Sequence, residues 1–174
     1  MKITFLAAAL ATLFAAGDAL AEEAKAAADL SFNAAVASDY RYRGISQTRL
    51  KPALQGGADL VHNASGMYAG AWASTIKWTT DAGGDGDFEL DLYAGKRGEL
   101  MSGFGYDVGV LAYVYPSNKL AQVPGFVSAN TTEVYGQLSY GSATLKYSHT
   151  VTNLFGFIDS KNSGYVDLSA NVDA

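Results

Sequence analysis

From Leu30 to Tyr42 the chain alternates without a break, with Leu30, Phe32, Ala34, Val36, Ser38, Tyr40 and Tyr42 on one side and Ser31, Asn33, Ala35, Ala37, Asp39, Arg41 and Arg43 on the other. Period-two patterning is the signature of a strand, because successive side chains leave opposite faces of the pleat. At about 3.3 Å of rise per residue, such a segment is long enough to cross a hydrocarbon layer at a tilt. One face carries charge, and the other is apolar with rings at one end. This restricts the chain to sheet architectures and makes a membrane-spanning strand the first expectation.

Seven further segments repeat the pattern: Ala53–His62, Met67–Trp78, Phe88–Lys96, Gly103–Tyr115, Thr132–Tyr140, Ala143–Thr152 and Tyr165–Val172. The connections alternate in length. Gly44–Pro52, Thr79–Asp87, Pro116–Thr131 and Asn153–Gly164 are long and rich in Gly, Asn, Ser or Asp, whereas Asn63–Gly66, Arg97–Ser102 and Gly141–Ser142 are short. Long loops on one side and short turns on the other is how outer-membrane barrels are built, whereas a soluble sandwich has no reason to sort its loops. The expected fold is therefore all-β: an antiparallel up-and-down transmembrane β-barrel, with about eight strands in this chain and the N-terminus on the periplasmic side.

Residues 1–21 read as a secretory signal peptide: Lys2 gives the basic start, Ile3–Ala16 the apolar stretch, and Ala19-Leu20-Ala21 a small-residue cleavage site before Glu22. Asp18 interrupts the apolar run, which argues against a membrane anchor. Residues 22–29 then form a short periplasmic lead-in and 30–174 the barrel domain. No stretch after Ala16 is apolar enough for a spanning helix. The absence of cysteine excludes a lipid-anchored lipoprotein, a disulfide framework and cysteine-built metal or haem sites. A net charge of −5 with only 12 Lys and Arg argues against nucleic acid as a partner.

Ring placement points to lipid on the aliphatic face. Tyr40, Tyr42 and Trp78 adjoin the long loops, while Tyr68, Phe104, Tyr106 and Tyr140 adjoin the short turns; two aromatic bands are what the two membrane interfaces favour. Basic residues facing lipid at mid-depth would cost about 2–4 kcal/mol each, so charges are expected inside. Arg41, Arg43, Lys77, Glu89, Asp91, Glu133 and Asp167 fall near the long-loop end as a candidate constriction, with Tyr93, Tyr113, Tyr115 and Tyr135 among them. Asp59, Asp107 and Lys146 make a sparser lower tier.

Ser38-Asp39-Tyr40-Arg41-Tyr42-Arg43-Gly44-Ile45-Ser46-Gln47-Thr48, followed by Pro52-Ala53-Leu54-Gln55-Gly56-Gly57, resembles the TorF family of outer-membrane porins of Gram-negative bacteria. Gly70-Ala71-Trp72-Ala73-Ser74, Glu89-Leu90-Asp91-Leu92-Tyr93-Ala94-Gly95 and Glu133-Val134-Tyr135 extend the resemblance over most of the chain after residue 21. It implies a signal-bearing barrel of the cell outer membrane with a channel role, embedded in outer-membrane lipid and inserted by the barrel-assembly machinery. Family members look longer by several strands, and outer-membrane barrels generally end in a strand with a terminal aromatic residue. This chain stops at Val172-Asp173-Ala174, so it is expected to be part of a larger barrel, incomplete at its C-terminus.

The resulting functional expectation is a porin for passive diffusion of small polar solutes through a narrow, charge-lined lumen. The alternative is a non-conducting small barrel acting as a structural or adhesin-type surface protein, with Pro116–Thr131 its most plausible binding loop. Strand number separates them: about eight strands leave room only for side chains, and 16–18 leave an aqueous channel. No enzyme is expected. The only histidines are His62, beside a short turn, and His149, which shares parity with Leu145 and Tyr147, and no Gly-x-Ser-x-Gly elbow exists. Asp81, Asp85, Asp87 and Glu89 lie around Gly83, Gly84 and Gly86, but the EF-hand spacing fails, so the loop is expected to be a solvated acidic loop without a metal. No cofactor is expected.

Overall fold

The structure, a computed structural model, describes residues 26–172. The expected signal peptide and the start of the lead-in lie outside the described residues. The order of elements is β1 (Ala28–Ala37), β2 (Arg41–Tyr42), β3 (Ile45–Ser46), β4 (Ala53–His62), β5 (Met67–Thr75), α1 (Trp78–Asp81), β6 (Phe88–Met101), β7 (Phe104–Val114), a 3₁₀ turn (Leu120–Gln122), β8 (Thr131–Tyr140), β9 (Ala143–Thr150) and β10 (Gly164–Ala170). Eight of these strands form one antiparallel sheet in the order β1-β4-β5-β6-β7-β8-β9-β10, and β2 and β3 form a separate hairpin. Every neighbour in the large sheet is the next long strand in sequence, so it is an up-and-down meander. β1 and β10 are its edges; no pairing between them closes the sheet among the described residues.

Register sorts the side chains onto two unlike faces. Leu30, Phe32, Ala34 and Val36 stand opposite Leu60, Ala58, Gly56 and Leu54, all on one face. That face continues through Ala69, Ala71 and Ala73 of β5 into Leu90, Leu92 and Ala94 of β6. It then runs through Val114, Ala112 and Val110 of β7 to Val134, Leu138, Leu145, Val166 and Leu168. Its large members are exposed: Phe32 is 75%, Leu92 45% and Leu168 77% accessible. The opposite, inner face holds Tyr68, Tyr93, Tyr113 and Tyr135 with most of the charges of the sheet, whereas Tyr106, Tyr140, Tyr147 and Lys96 share the apolar face. Among the described residues, the buried hydrophobic cluster sits at the long-loop end of the inner face, around Ile76, Tyr113, Tyr115, Leu120 and Ala129.

The turns follow their chemistry. Gly141 (φ 55°) makes the two-residue link between β8 and β9, and Gly103 (φ 81°) the link between β6 and β7. The second link is tighter than expected. Arg97–Ser102 is not a turn, because β6 continues to Met101 with a bulge between Glu99 and Met101.

The opening segment is where the structure departs most from its pattern. The strand ends at Ala37, not Tyr42. The Asp39 carboxylate accepts hydrogen bonds from the Ser46 hydroxyl (2.5 Å) and the Thr48 hydroxyl (3.2 Å), while Gln47 N–H donates to the Tyr40 carbonyl (2.7 Å). These bonds bend the chain at Ser38–Asp39 and reverse its parity. Tyr42-Arg43-Gly44-Ile45 then turns with φ of 47° at Arg43 and 82° at Gly44, the two positive angles that a type I′ hairpin requires. Tyr40 and Tyr42 therefore point inward and are not part of an outer aromatic band. Likewise β5 stops at Thr75, and Trp78 starts a one-turn helix packed against Tyr115.

Candidate functional site

The inner face is organised in rows across the strands. Tyr68, Gly95, Gly109 and Tyr135 occupy successive positions on β5, β6, β7 and β8. Strands about 4.8 Å apart put the two tyrosine backbones about 14 Å from each other, close enough for two rings lying flat to meet. Their hydroxyls hydrogen-bond, and Tyr68 also donates to Asp107 Oδ1 (2.5 Å). The glycines make this possible. A Cβ on Gly95 would lie 2.5 Å from the Tyr68 hydroxyl oxygen, and one on Gly109 2.6 Å from that of Tyr135. Gly70, opposite Tyr93, does the same for that ring, which reaches Asp59 Oδ1 at 2.6 Å.

The neighbouring row toward the short turns alternates in sign: Arg97, Asp107, Gln137, Lys146 and Asp167 pair in register. Lys146 Nζ sits 4.2 Å from the Tyr135 ring centre, and the Arg97 guanidinium 5.5 Å from that of Tyr68. Arg97, Asp107, Tyr68 and Tyr135, together with Ser31, Asp59, Val61 and Tyr93, line a polar cavity of about 390 Å³. Asp167 thus stands opposite Lys146 in the lower row, not in the upper constriction expected for it.

Toward the long loops lie three buried carboxylates, Glu89, Asp91 and Glu133 (2%, 9% and 2% accessible). Arg43 Nη2 donates to both oxygens of Glu133, at 3.0 and 2.8 Å. Its guanidinium also lies 4.8 Å from the Tyr42 ring centre and 4.2 Å from that of Tyr165 on β10. Glu89 accepts from the Tyr40 hydroxyl (2.7 Å). Asp91 Oδ1 has no hydrogen-bond partner among the described residues. The other two bases expected here are elsewhere. Arg41 is exposed and pairs with Asp39 (2.8 Å), because the bend that turns Tyr40 and Tyr42 inward turns Arg41 out. Lys77 follows the last residue of β5 by two positions and approaches Asp87 at 3.6 Å on the surface.

The long connections fold over this end rather than extending into solvent. Phe155 contacts Tyr42, Trp78, Tyr113 and Tyr115 edge-on, with ring centres 5.2–6.4 Å apart. Backbone bonds tie the loops together: Lys77 N–H to Gln47 O (2.7 Å), Val127 N–H to Gly156 O (2.8 Å), and Lys119 N–H to Gly84 O. They enclose a second, aromatic chamber of about 380 Å³ above the carboxylates. The acidic loop is dispersed: Asp81 pairs with Arg49, Asp85 with Lys119 (3.0 Å) and Asp87 with Lys77, while Glu89 is inside. No group of three metal-ligating side chains is placed to hold an ion among the described residues. The Lys119 bond and the Gly86 N–H hold the Asp85 carboxyl below the usual carboxylate range, and the Ser46 bond above all does so for Asp39.

Arg97, Tyr68, Gly95, Gly109 and Phe155 were not among the expected site residues. The glycines carried a signal: two Gly-centred inner positions on adjacent strands, flanked by tyrosines on the next strands out, predict rings lying over glycines once register is known. Phe155 carried none, since a loop aromatic shows no period.

Fold and site together define a class: an antiparallel meander with one apolar, exposed face and one face of packed tyrosines and charges, capped by its long connections. The chain belongs to the family described as bacterial protein of unknown function (Gcw_chp), which matches it over residues 21–174. No curated protein and no solved structure matches it.

Proposed function

We propose that this chain is an outer-membrane β-barrel protein whose eight strands, once their edges are joined, form a filled wall rather than an open pore. The observation that carries the reading is the outer face. Eight adjacent strands of 7–14 residues present mostly aliphatic, aromatic or small side chains outward, with Lys96 toward the short turns and His149 toward the long loops. Strand spacing and rise make this a face on the order of 1,000 Å², and soluble monomers rarely expose contiguous apolar patches beyond a few hundred. Lipid is the occupant that suits a face of this size, and strands of about 9–11 residues match a bilayer. The loop asymmetry and the TorF resemblance agree with it. The filled interior supports the non-conducting alternative: the Tyr68–Tyr135 bridge crosses the inner face, and the loop cap lies over its upper end.

The chain contains no cysteine, so single labels can be placed at will. An environment-sensitive dye on Val110→Cys, facing out, should shift to the blue in vesicles and escape aqueous quenchers, whereas one on Gln137→Cys, facing in, should not. A Val110→Cys label that stays open to aqueous quenchers in vesicles refutes the lipid reading. A porin reading keeps one support, the unpaired edges at β1 and β10, where further strands would widen the lumen. Planar-bilayer recording separates the two: current no greater than leak is expected, and discrete, reproducible conductance steps would favour the porin.

A further inference from the structure

We infer that the aromatic chamber under the loop cap is a binding site for an organic cation, a protonated or quaternary amine carried on an apolar body. The inner side of a solute channel is expected to be polar, and the lower cavity is. The upper chamber is not: its walls are Tyr42, Trp78, Tyr113, Tyr115, Phe126 and Phe155. Its volume of about 380 Å³ lies within the range of pockets that hold small ligands. Ile45 and Phe157 at its rim are exposed, which gives it a mouth toward the long-loop side.

Two independent features set the sign of the ligand. Ring faces attract cations through their quadrupole, and closely spaced rings are the usual seat of quaternary ammonium groups. The ionisable groups behind the rings are also mostly acidic. Glu89 and Arg43 line the chamber, but Arg43 is already engaged by both oxygens of Glu133. Glu89 has a neutral hydroxyl donor, Tyr40, and no basic partner within salt-bridge distance among the described residues. Asp91, two residues along the same strand, leaves one oxygen unpartnered. Three carboxylates therefore face one guanidinium. A cation entering among the rings would stabilise the ionised form of Glu89, which has no base of its own, whereas an anion would meet only carboxyl groups, ring faces and a guanidinium already engaged. An apolar body fits the remaining walls; a bare metal ion would find too few oxygen ligands.

The site does not depend on where the outer face resides, so it can be tested on detergent-folded protein by calorimetric titration with three probes of similar size. Benzyltrimethylammonium should bind saturably, benzyl alcohol at least ten-fold more weakly, and benzenesulfonate not at all. Glu89→Gln, checked for native tryptophan emission, should weaken the cation at least ten-fold and leave benzyl alcohol unchanged. Equal binding of the cation and the alcohol, tighter binding of the sulfonate, or no saturable heat with any probe would overturn the proposal. The comparison within the unaltered protein decides the matter even if Glu89→Gln does not fold.

Discussion

Arg43 is the residue whose removal should cost most. Its side chain is 17% accessible and that of Glu133 only 2%, and the two meet through a forked pair of short bonds. In Arg43→Met the apolar stem is largely kept, but Glu133 is left as a buried, unpaired carboxylate. Breaking a buried pair from one side costs about 3–5 kcal/mol, and loss of the two ring contacts adds about 0.5–1 kcal/mol each. Glu133→Gln keeps an acceptor for the guanidinium but strands its charge. The double variant Arg43→Met/Glu133→Gln removes both charges, so it should lose much less than the sum of the singles, with a coupling of about 2–3 kcal/mol. Urea unfolding in detergent, followed by tryptophan emission, closes the cycle. A buried pair is little screened, so the coupling should persist when salt is raised from about 0.05 to 0.5 M. The exposed Lys119–Asp85 pair, in the same cycle, should show a small coupling that salt abolishes. Additive singles, or an Arg43→Met variant within about 1 kcal/mol of the parent, would refute the argument.

Val110→Arg, outward at mid-strand, should destabilise the vesicle-inserted protein by about 2–4 kcal/mol while changing the detergent-solubilised form less, measured by unfolding in both media. Gly109→Ala should cost about 1–3 kcal/mol, because the new methyl would lie 2.6 Å from the Tyr135 hydroxyl oxygen and 2.7 Å from the Ala94 carbonyl oxygen, and backbone cannot yield; thermal melts test this. Asp39 has a folded pKa below its unfolded value, so its contribution is complete above the ordinary carboxylate pKa of about 3.9 and is lost as pH falls through the lower folded value. Amide protection in the 38–48 segment, taken relative to intrinsic exchange rates, should therefore fall on acidification below about pH 4, and Asp39→Asn should flatten that dependence; a wild-type profile without the step would contradict it.

The meander was legible because period-two alternation survives in every long strand, and register follows once one face must be apolar. Ala53–His62 matches β4 end to end. The errors cluster where a side chain, rather than the pleat, sets the backbone. Alternation in residues 38–42 continued in letters but not in space, since Ser46 and Thr48, seven and nine positions downstream of Asp39, capture its carboxylate and reverse the parity. That one bend accounts for three misplacements: Tyr40 and Tyr42 assigned outward, and Arg41 assigned inward. Tyr68 was misassigned for a different reason. Small residues on both faces of β5 leave little hydropathy contrast, and only its pairing with Val61 and Gly95 fixes it inside. The upper carboxylates were visible as charges on an alternating strand, whereas their isolation from Lys77 and Arg41 was not, because it depends on where loops fold.

Arg43 also bears on closure of the sheet. It belongs to the connection after β1, the first strand of the meander, yet its guanidinium lies against Tyr165 of β10, the last. The two edges are thus brought toward each other at the long-loop end although no backbone bond joins them. Eight strands in an up-and-down meander leave the first and last running in opposite directions, the sense needed for an antiparallel seam. An unpaired edge is tolerable in water but costly in hydrocarbon, where each unsatisfied N–H or C=O costs several kcal/mol. On the proposed membrane reading, lipid favours joining β1 to β10, or joining each to an added strand. The Arg43–Tyr165 contact favours the first, since a strand inserted between those edges would move the ring about 4.8 Å farther from a guanidinium already held by Glu133. Cross-linking paired cysteines placed on β1 and β10 in vesicles should succeed near Ala37 and Tyr165 if the seam forms, and fail if added strands intervene.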